Sequence, residues 1–407
     1  ARGKGTIRAT SGGVPDSVEV TVEPVVGSVV VFPATTTLAV GATAQVLAYA
    51  RPPANNGNLE VTLRWSTTNP AVAVVDSGRV RGVGPGTTEV VVAAGSRTER
   101  FTVEVVRPYT LTRIALPGET DGRAHAVNST GVVVGQATVG RRTEAWRWQN
   151  GTVTSLGEGR ALDVNDAGVV VGGSGPEAVM WKDGAKTVLY STVGGFTWAE
   201  GINSRGDVVG GWIGTSGCGP GGRCPGRAWI HSDGAVRLIV AEGTNSAANA
   251  ISDAGTVVGS DGSDVRQTVY SFVYRDGALT QLPGQDGRIV ARDVNERGEI
   301  VGGGAYSPAV RWASPQAGPT PLPAVSLVEG PSAAHAVNEA GDVVGTSAFR
   351  GAIWRGGKGV DLNYLFVDPE WTLESALDIN DRGQIVGYGK HRTTGATGAL
   401  LLTPPAP

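Results

Sequence analysis

Few residues in this chain are of the kinds that do chemistry, and their spacing limits what that chemistry is. The two cysteines, Cys218 and Cys224, bound the loop CGPGGRC. Zinc needs more thiolates or nearby histidines than this segment offers. The pair therefore reads as a small disulfide, adding roughly 2 kcal/mol through loop entropy, with two free thiols in a flexible loop as the alternative. A disulfide suits an oxidising compartment and hence an exported protein. There are four histidines. His125 and His335 recur three residues before an Asn in two of seven repeated segments, where other repeats hold unrelated residues, so no catalytic role is expected of them. His231 stands where other repeats carry Trp148, Trp181, Tyr274, Trp312 and Trp354, which places it in a core or between blades. His391, in an Arg-rich loop, is the histidine expected to bind. Asp166, Asp253, Glu296, Glu339 and Asp381 each follow a turn Asn or Ser, which raises the question of calcium. One or two carboxylates per turn fall short of the six to eight oxygens calcium takes, so these read as solvated turns. No nucleophile elbow, HExxH helix, Walker loop or dinucleotide fingerprint stands in a suitable context. The expectation is no catalytic residue, no metal and no cofactor.

The elements that position these residues are strands. Of 407 residues, 62 are Gly and 23 Pro, and only 17% are charged. Val and Thr are abundant and helix formers are not clustered, which favours short strands joined by many turns. A net charge of -3 argues against a nucleic-acid partner. No apolar run approaches the ~18 residues of a membrane-spanning helix. The chain opens Ala-Arg-Gly without Met or a signal peptide, so its true N-terminus is expected upstream.

Two internal repeats organise the chain. Residues 3–22 align without a gap onto residues 86–105, at an offset of 83. Val20 falls on Val103, Val22 on Val105 and Gly12 on Gly95, and both segments read as a hairpin of alternating strands. Residues 1–24 are thus expected to be the last hairpin of one module, and residues 25–106 a complete second module. The complete module carries WSTTNPAVAVVDSGRVRGVGPGTTEVVV, in which Trp65 is expected between the sheets, Asn69-Pro70 breaks a strand and Gly82, Gly84 and Gly86 mark turns. These stretches, with FPATTTLAVGATAQV at 32–46, resemble the group 2 bacterial Ig-like domain. That resemblance implies a β-sandwich used as a spacer or adhesion module on bacterial surfaces.

From residue 107 the period changes. AVNSTGVVVG, DVNDAGVVVG, GINSRGDVVG, AISDAGTVVG, DVNERGEIVG, AVNEAGDVVG and DINDRGQIVG recur at spacings of 37 to 49 residues. In each, Asn (Ser252 in the fourth) precedes by three positions a Gly that supplies positive φ for a tight turn, and the Asn side chain accepts a turn N–H. A third strand such as AWRWQNG and usually a fourth strand follow. Four short strands per repeat, seven times, make a seven-bladed β-propeller. The last repeat lacks its fourth strand, and YTLTRIALPG (109–118) is expected to supply it, removing the open edges. The fold class is all-β: an Ig-like sandwich plus a propeller closed by an N-terminal strand. The repeats resemble the HAF family of bacterial extracellular repeats over 109–404, with Ala-Trp, Ala-Val or Ser-Phe where His-Ala-Phe is usual. That family implies no particular activity.

Function is expected on the variable loops between second and third strands: 136–144, 173–177, 211–227, 260–270, 303–308, 346–350 and 388–398. Their cations outnumber their acids, and aromatics lie among them. Arg141, Arg142, Trp212, Arg266, Tyr306, Phe349, Arg350, Tyr388 and His391 are the candidate binding residues, for an anionic glycan or a protein surface. Ordinary solvated Arg-rich loops would look the same. The leading expectation is a non-catalytic bacterial protein, extracellular or on the cell surface, whose Ig-like stalk carries a propeller head. One alternative is a filament subunit joined by strand complementation, self-associating through residues 1–24. Another is a polysaccharide-active enzyme with its site on the loop face, which convergent carboxylates would favour.

Overall fold

The computed structural model describes residues 3–11, 14–22, 24–33, 35–53, 57–216, 224–239, 245–263, 268–284, 287–304, 307–325 and 330–406. Apart from one 3-10 turn at Leu362–Tyr364, its regular elements are strands. The all-β class is borne out. The chain divides into two compact units, residues 1–108 with Tyr364–Val367, and residues 109–363 with 368–407.

In the first unit the order in the main sheet is Thr35–Ala39, Arg97–Val106, Gly86–Ala94, Arg64–Thr67, with Thr35–Ala39 parallel to its neighbour and the other pairs antiparallel. Two smaller sheets complete the sandwich. Ser28–Phe32 pairs with Leu47–Arg51, and Arg79–Gly82 lies between Thr43–Gln45 and Ala73–Asp76. Alternation places Thr88, Val90, Val92 and Ala94 inward from one strand and Phe101, Val103 and Val105 from the next. These meet Leu38, Ala73 and Val80 in one core, each fully buried Val, Leu or Phe contributing about 1.5–3 kcal/mol. Phe101 is the aromatic side chain sealed inside. Trp65, expected there, is only half-buried at the core margin. The hairpin Gly3–Ser11/Val14–Val22 pairs only with itself among the described residues.

The second unit is a ring of seven four-stranded blades. Blade 1 holds Glu119–Val127, Val133–Val139, Arg142–Gln149 and Thr152–Glu158 in antiparallel order. The innermost strands of blades 2 to 7 are Arg160–Val164, Gly195–Ile202, Asn245–Ile251, Val290–Val294, Ser332–Val337 and Trp371–Ile379. Blade 7 takes its outer strand, Thr110–Ile114, from the start of the unit, antiparallel to Thr397–Thr403. The expected closing strand is therefore in place.

The turn Asn residues do more than shape their own turns. Asn128 Oδ1 accepts the N–H of Thr130 and Val132, as expected, and its Nδ2 donates to the Asn165 carbonyl of the next blade at 2.9 Å. The same amide link runs from Asn165 to Asn203, Asn203 to Ser252, Asn295 to Asn338, Asn338 to Asn380 and Asn380 back to Asn128, at 2.8–3.3 Å. Ser252 has no amide, and there the belt is interrupted. The acidic residues after the turn Asn or Ser are not merely solvated. Asp166, Asp253, Glu339 and Asp381 accept the N–H of Ser129, Ser204, Glu296 and Glu339 from the preceding blade, at 2.6–2.9 Å. At the Ser252 gap, Glu296 accepts both Asp253 N–H and Ala254 N–H. Asn128 also begins an Asn-Ser-Thr sequon, but its side chain is buried and committed to this belt.

The second repeated glycine has a different cause. A Cβ on Gly135, Gly172, Gly210, Gly259, Gly302, Gly345 or Gly387 would sit 1.9–2.2 Å from a carbonyl oxygen of the innermost strand. Opposite each lies a register shift in that strand. Such bulges re-aim a side chain, and here they do so seven times.

Candidate functional site

The residues skipped in the seven bulges are His125, Leu162, Glu200, Asn249, Arg292, His335 and Leu377. All seven line a cavity of about 490 Å³ along the propeller axis, with Arg123 and Tyr388. Arg123 stacks over the Tyr388 ring at 4.6 Å. Asn249 Nδ2 donates to the Ala291 carbonyl at 2.6 Å, and His125 Nε2 lies 3.2 Å from Gln136 Oε1. No motif marks this ring in the sequence, because its seven members are of five types, with only His and Leu occurring twice, and the two histidines alone drew notice there. The signal was positional: the third residue before the turn Asn or, for Asn249, before Ser252.

Beside the bulges, Asp163, Asp293 and Asp378 tie blades together. Each carboxylate accepts its successor's N–H and one N–H of the following blade, from Ile202, Val337 and Val127, at 2.7–2.8 Å. Desolvation in the cavity pushes Asp163 and Asp293 up to about 6 and Asp378 to about 7, against the pull of these N–H bonds. Glu200 is pushed up to about 7 by the same cause, although the Trp198 indole hydrogen-bonds it and Arg292 attracts it. Burial lowers His125 to about 4 and His335 to about 3, so both are neutral. With both Asp oxygens occupied by backbone donors, these carboxylates serve the ring joints.

A second cavity, about 740 Å³, lies over blades 1 to 3 and shares Leu162 and Glu200 with the first. It is lined by Arg141, Arg142 and Arg160, by Phe196 and Trp198, and by Glu158. All three arginines are exposed, and among the described residues none makes an ion pair or side-chain hydrogen bond. Phe196 is 51% exposed. Three open guanidinium groups beside two aromatic faces can hold an acidic group and stack on a ring.

The expected site residues do not converge. Arg141 and Arg142 share this cavity. Tyr388 lines the axial cavity instead. Several expected loops are strand: Val133–Val139 and Arg142–Gln149 leave a two-residue turn, because Gly140 takes a φ of +62 that lets the hairpin close tightly. Trp212, Tyr388 and His391 consequently sit on second strands and Arg350 on a third. Arg350 pairs with the buried carboxylate of Asp361. Trp212 is half-buried with Arg227 over its ring at 5.7 Å. His391 packs edge-on against Trp371 at 5.3 Å, and its Nδ1 accepts the N–H of Thr393 and Thr394 at 3.3 Å, so it shapes a turn. Phe349 is 68% exposed at a two-residue turn. Arg266, Tyr306 and Cys218 lie outside the described residues. Cys224 is disulfide-bonded, and Cys218 is the other cysteine in the chain. His231, at its half-buried blade position, lines a further cleft with Arg205 and Arg237.

Residues 25–105 match the bacterial Ig-like domain (group 2) family. No curated protein matches the chain. Among solved structures, domains 4 and 5 of the S-layer protein SbsC are 21% identical, covering 26% of this chain and 58% of that one, with a TM-score of 0.19. A protein of unknown function from Bacteroides thetaiotaomicron is 12% identical over 94% of this chain and 98% of its own, with a TM-score of 0.40. The WD40 repeats of RRP9 are 12% identical over 73% and 98%, with a TM-score of 0.46.

Proposed function

We propose that this chain is a non-catalytic bacterial surface protein, acting outside the cell, whose propeller binds an anionic glycan and whose Ig-like module serves as a spacer. Its propeller repeats are of the extracellular HAF type. The observation that carries the reading is the cavity where Arg141, Arg142 and Arg160 stand without acidic partners beside Phe196 and Trp198. A uronic-acid chain offers the carboxylates such guanidinium groups fork onto and the sugar faces such rings stack against. The disulfide at Cys224 suits the same location.

The test is calorimetric titration with an acidic oligosaccharide and its carboxyl-reduced counterpart. Binding of the acidic form should weaken at least ~10-fold in the Arg141→Ala/Arg142→Ala variant, about 1.4 kcal/mol, and should fall with added salt. Equal affinity for the reduced glycan, or an unchanged double variant, would reject the reading.

A further inference from the structure

The hairpin Gly3–Ser11/Val14–Val22 copies the register of the complete module's hairpin pair for pair. Gly3 faces Val22 and Ser11 faces Val14, as Gly86 faces Val105 and Ala94 faces Arg97, all at the offset of 83. Their surroundings differ. In the complete module Arg97–Val106 has a parallel strand, Thr35–Ala39, along its free edge, and Gly86–Ala94 has an antiparallel one, Arg64–Thr67. The N-terminal hairpin has neither among the described residues. Val90 and Phe101 are 0% and 3% exposed, whereas their counterparts Ile7 and Val18 are 63% and 61% exposed. A two-stranded hairpin is at best marginally stable alone, and sheet edges with no neighbouring strand, beside an apolar face, invite strand pairing.

We propose that this hairpin is the receiving half of another immunoglobulin-like module, completed by a segment patterned like residues 25–83 and carried on the same polypeptide ahead of it. The segment lays one strand parallel to Val14–Val22, one antiparallel to Gly3–Ser11, and an apolar layer over Ile7, Ala9 and Val18. The repeat names the occupant, because the same hairpin in the same register takes those strands 83 residues later. It also favours the same polypeptide: a segment of that length placed directly ahead is in phase, and the linkage gives it a high effective concentration. The face binds that segment in preference to a second copy of this chain.

The experiment prefixes residues 25–83 to Ala1 of the full chain and follows amide hydrogen exchange in the hairpin, with sedimentation of both proteins. Amides of residues 6–8 and 17–19 should exchange at least ~100-fold more slowly in the prefixed chain, and both proteins should be monomers. Ile7→Lys and Val18→Lys should each remove that protection. Thr6→Lys, at the outward position matching exposed Glu89, should not, which separates a lost interface from a misfolded variant. Unchanged exchange on prefixing overturns the proposal, as does protection that Ile7→Lys leaves intact. Ile7→Lys-sensitive dimers of the unprefixed chain would also overturn it and assign the face to a second copy.

Discussion

Replacing Asn338 with Ala tests whether the amide belt holds the ring together. Asn338 is 5% exposed, accepts the Asp342 N–H at 2.9 Å and donates to the Asn380 carbonyl at 3.2 Å. Each bond is worth about 1 kcal/mol net, and leaving the groups without partners adds to that, so the expected cost is about 2–4 kcal/mol. Nine of the ten tryptophans lie after Tyr109, so tryptophan emission during urea denaturation reports the propeller. With m near ~3 kcal/mol/M for a unit this size, the midpoint should fall by about 1 M. Asn338→Asp keeps the acceptor and loses the donor, and should fall between the two. The reverse experiment fills the gap: Ser252 accepts the Thr256 N–H at 3.3 Å and sends nothing across to Asn295. Ser252→Asn should raise the midpoint by about 0.3 M, a gain of ~1 kcal/mol. An Asn338→Ala shift no larger than ~0.2 M, or a Ser252→Asn variant less stable than the parent, would refute the belt as an energetic device.

Gly302→Ala should cost more than ~2 kcal/mol or prevent folding, because its Cβ would lie 2.1 Å from the Val290 oxygen. Gly140→Ala, with nothing within 4 Å of its Cβ, should cost only about 1 kcal/mol for its positive φ in the same denaturation assay. Propeller stability should fall from pH 5 to pH 8. Asp163, Asp293, Asp378 and Glu200 keep their protons up to about 6 or 7 when folded, whereas the unfolded chain releases them near 3.8 or 4.5, so their contribution is lost as pH rises through that range. His125 and His335 act oppositely, adding stability as pH rises towards 6.5, but they are two groups against four. A midpoint that rises between pH 6.5 and 8, or an Asp378→Asn variant with an undiminished slope, would contradict this assignment.

The seven turns, six Asn-x-x-Gly and one Ser-x-x-Gly, were legible because positive φ and a turn-closing side chain restrict those positions locally, whatever surrounds them. The Ig-like module and the all-β class were legible for a similar reason: alternation and punctuation are local patterns. The closing strand was legible from counting, since a ring of four-stranded blades leaves one strand missing. The candidate site was not. Leu162, Glu200 and Arg292 belong to no motif; a bulge turns each toward the axis, and only the closed ring brings seven such positions to one cavity. Arg160, Phe196 and Trp198 join Arg141 and Arg142 across three blades, a neighbourhood set by how blades stack. Arg350 and His391 looked available for binding, yet an acid and a turn in the fold occupy them. Backbone conformation is decided within a few residues and leaves its mark on sequence; side-chain partnership across a ring is decided by packing between distant segments and does not.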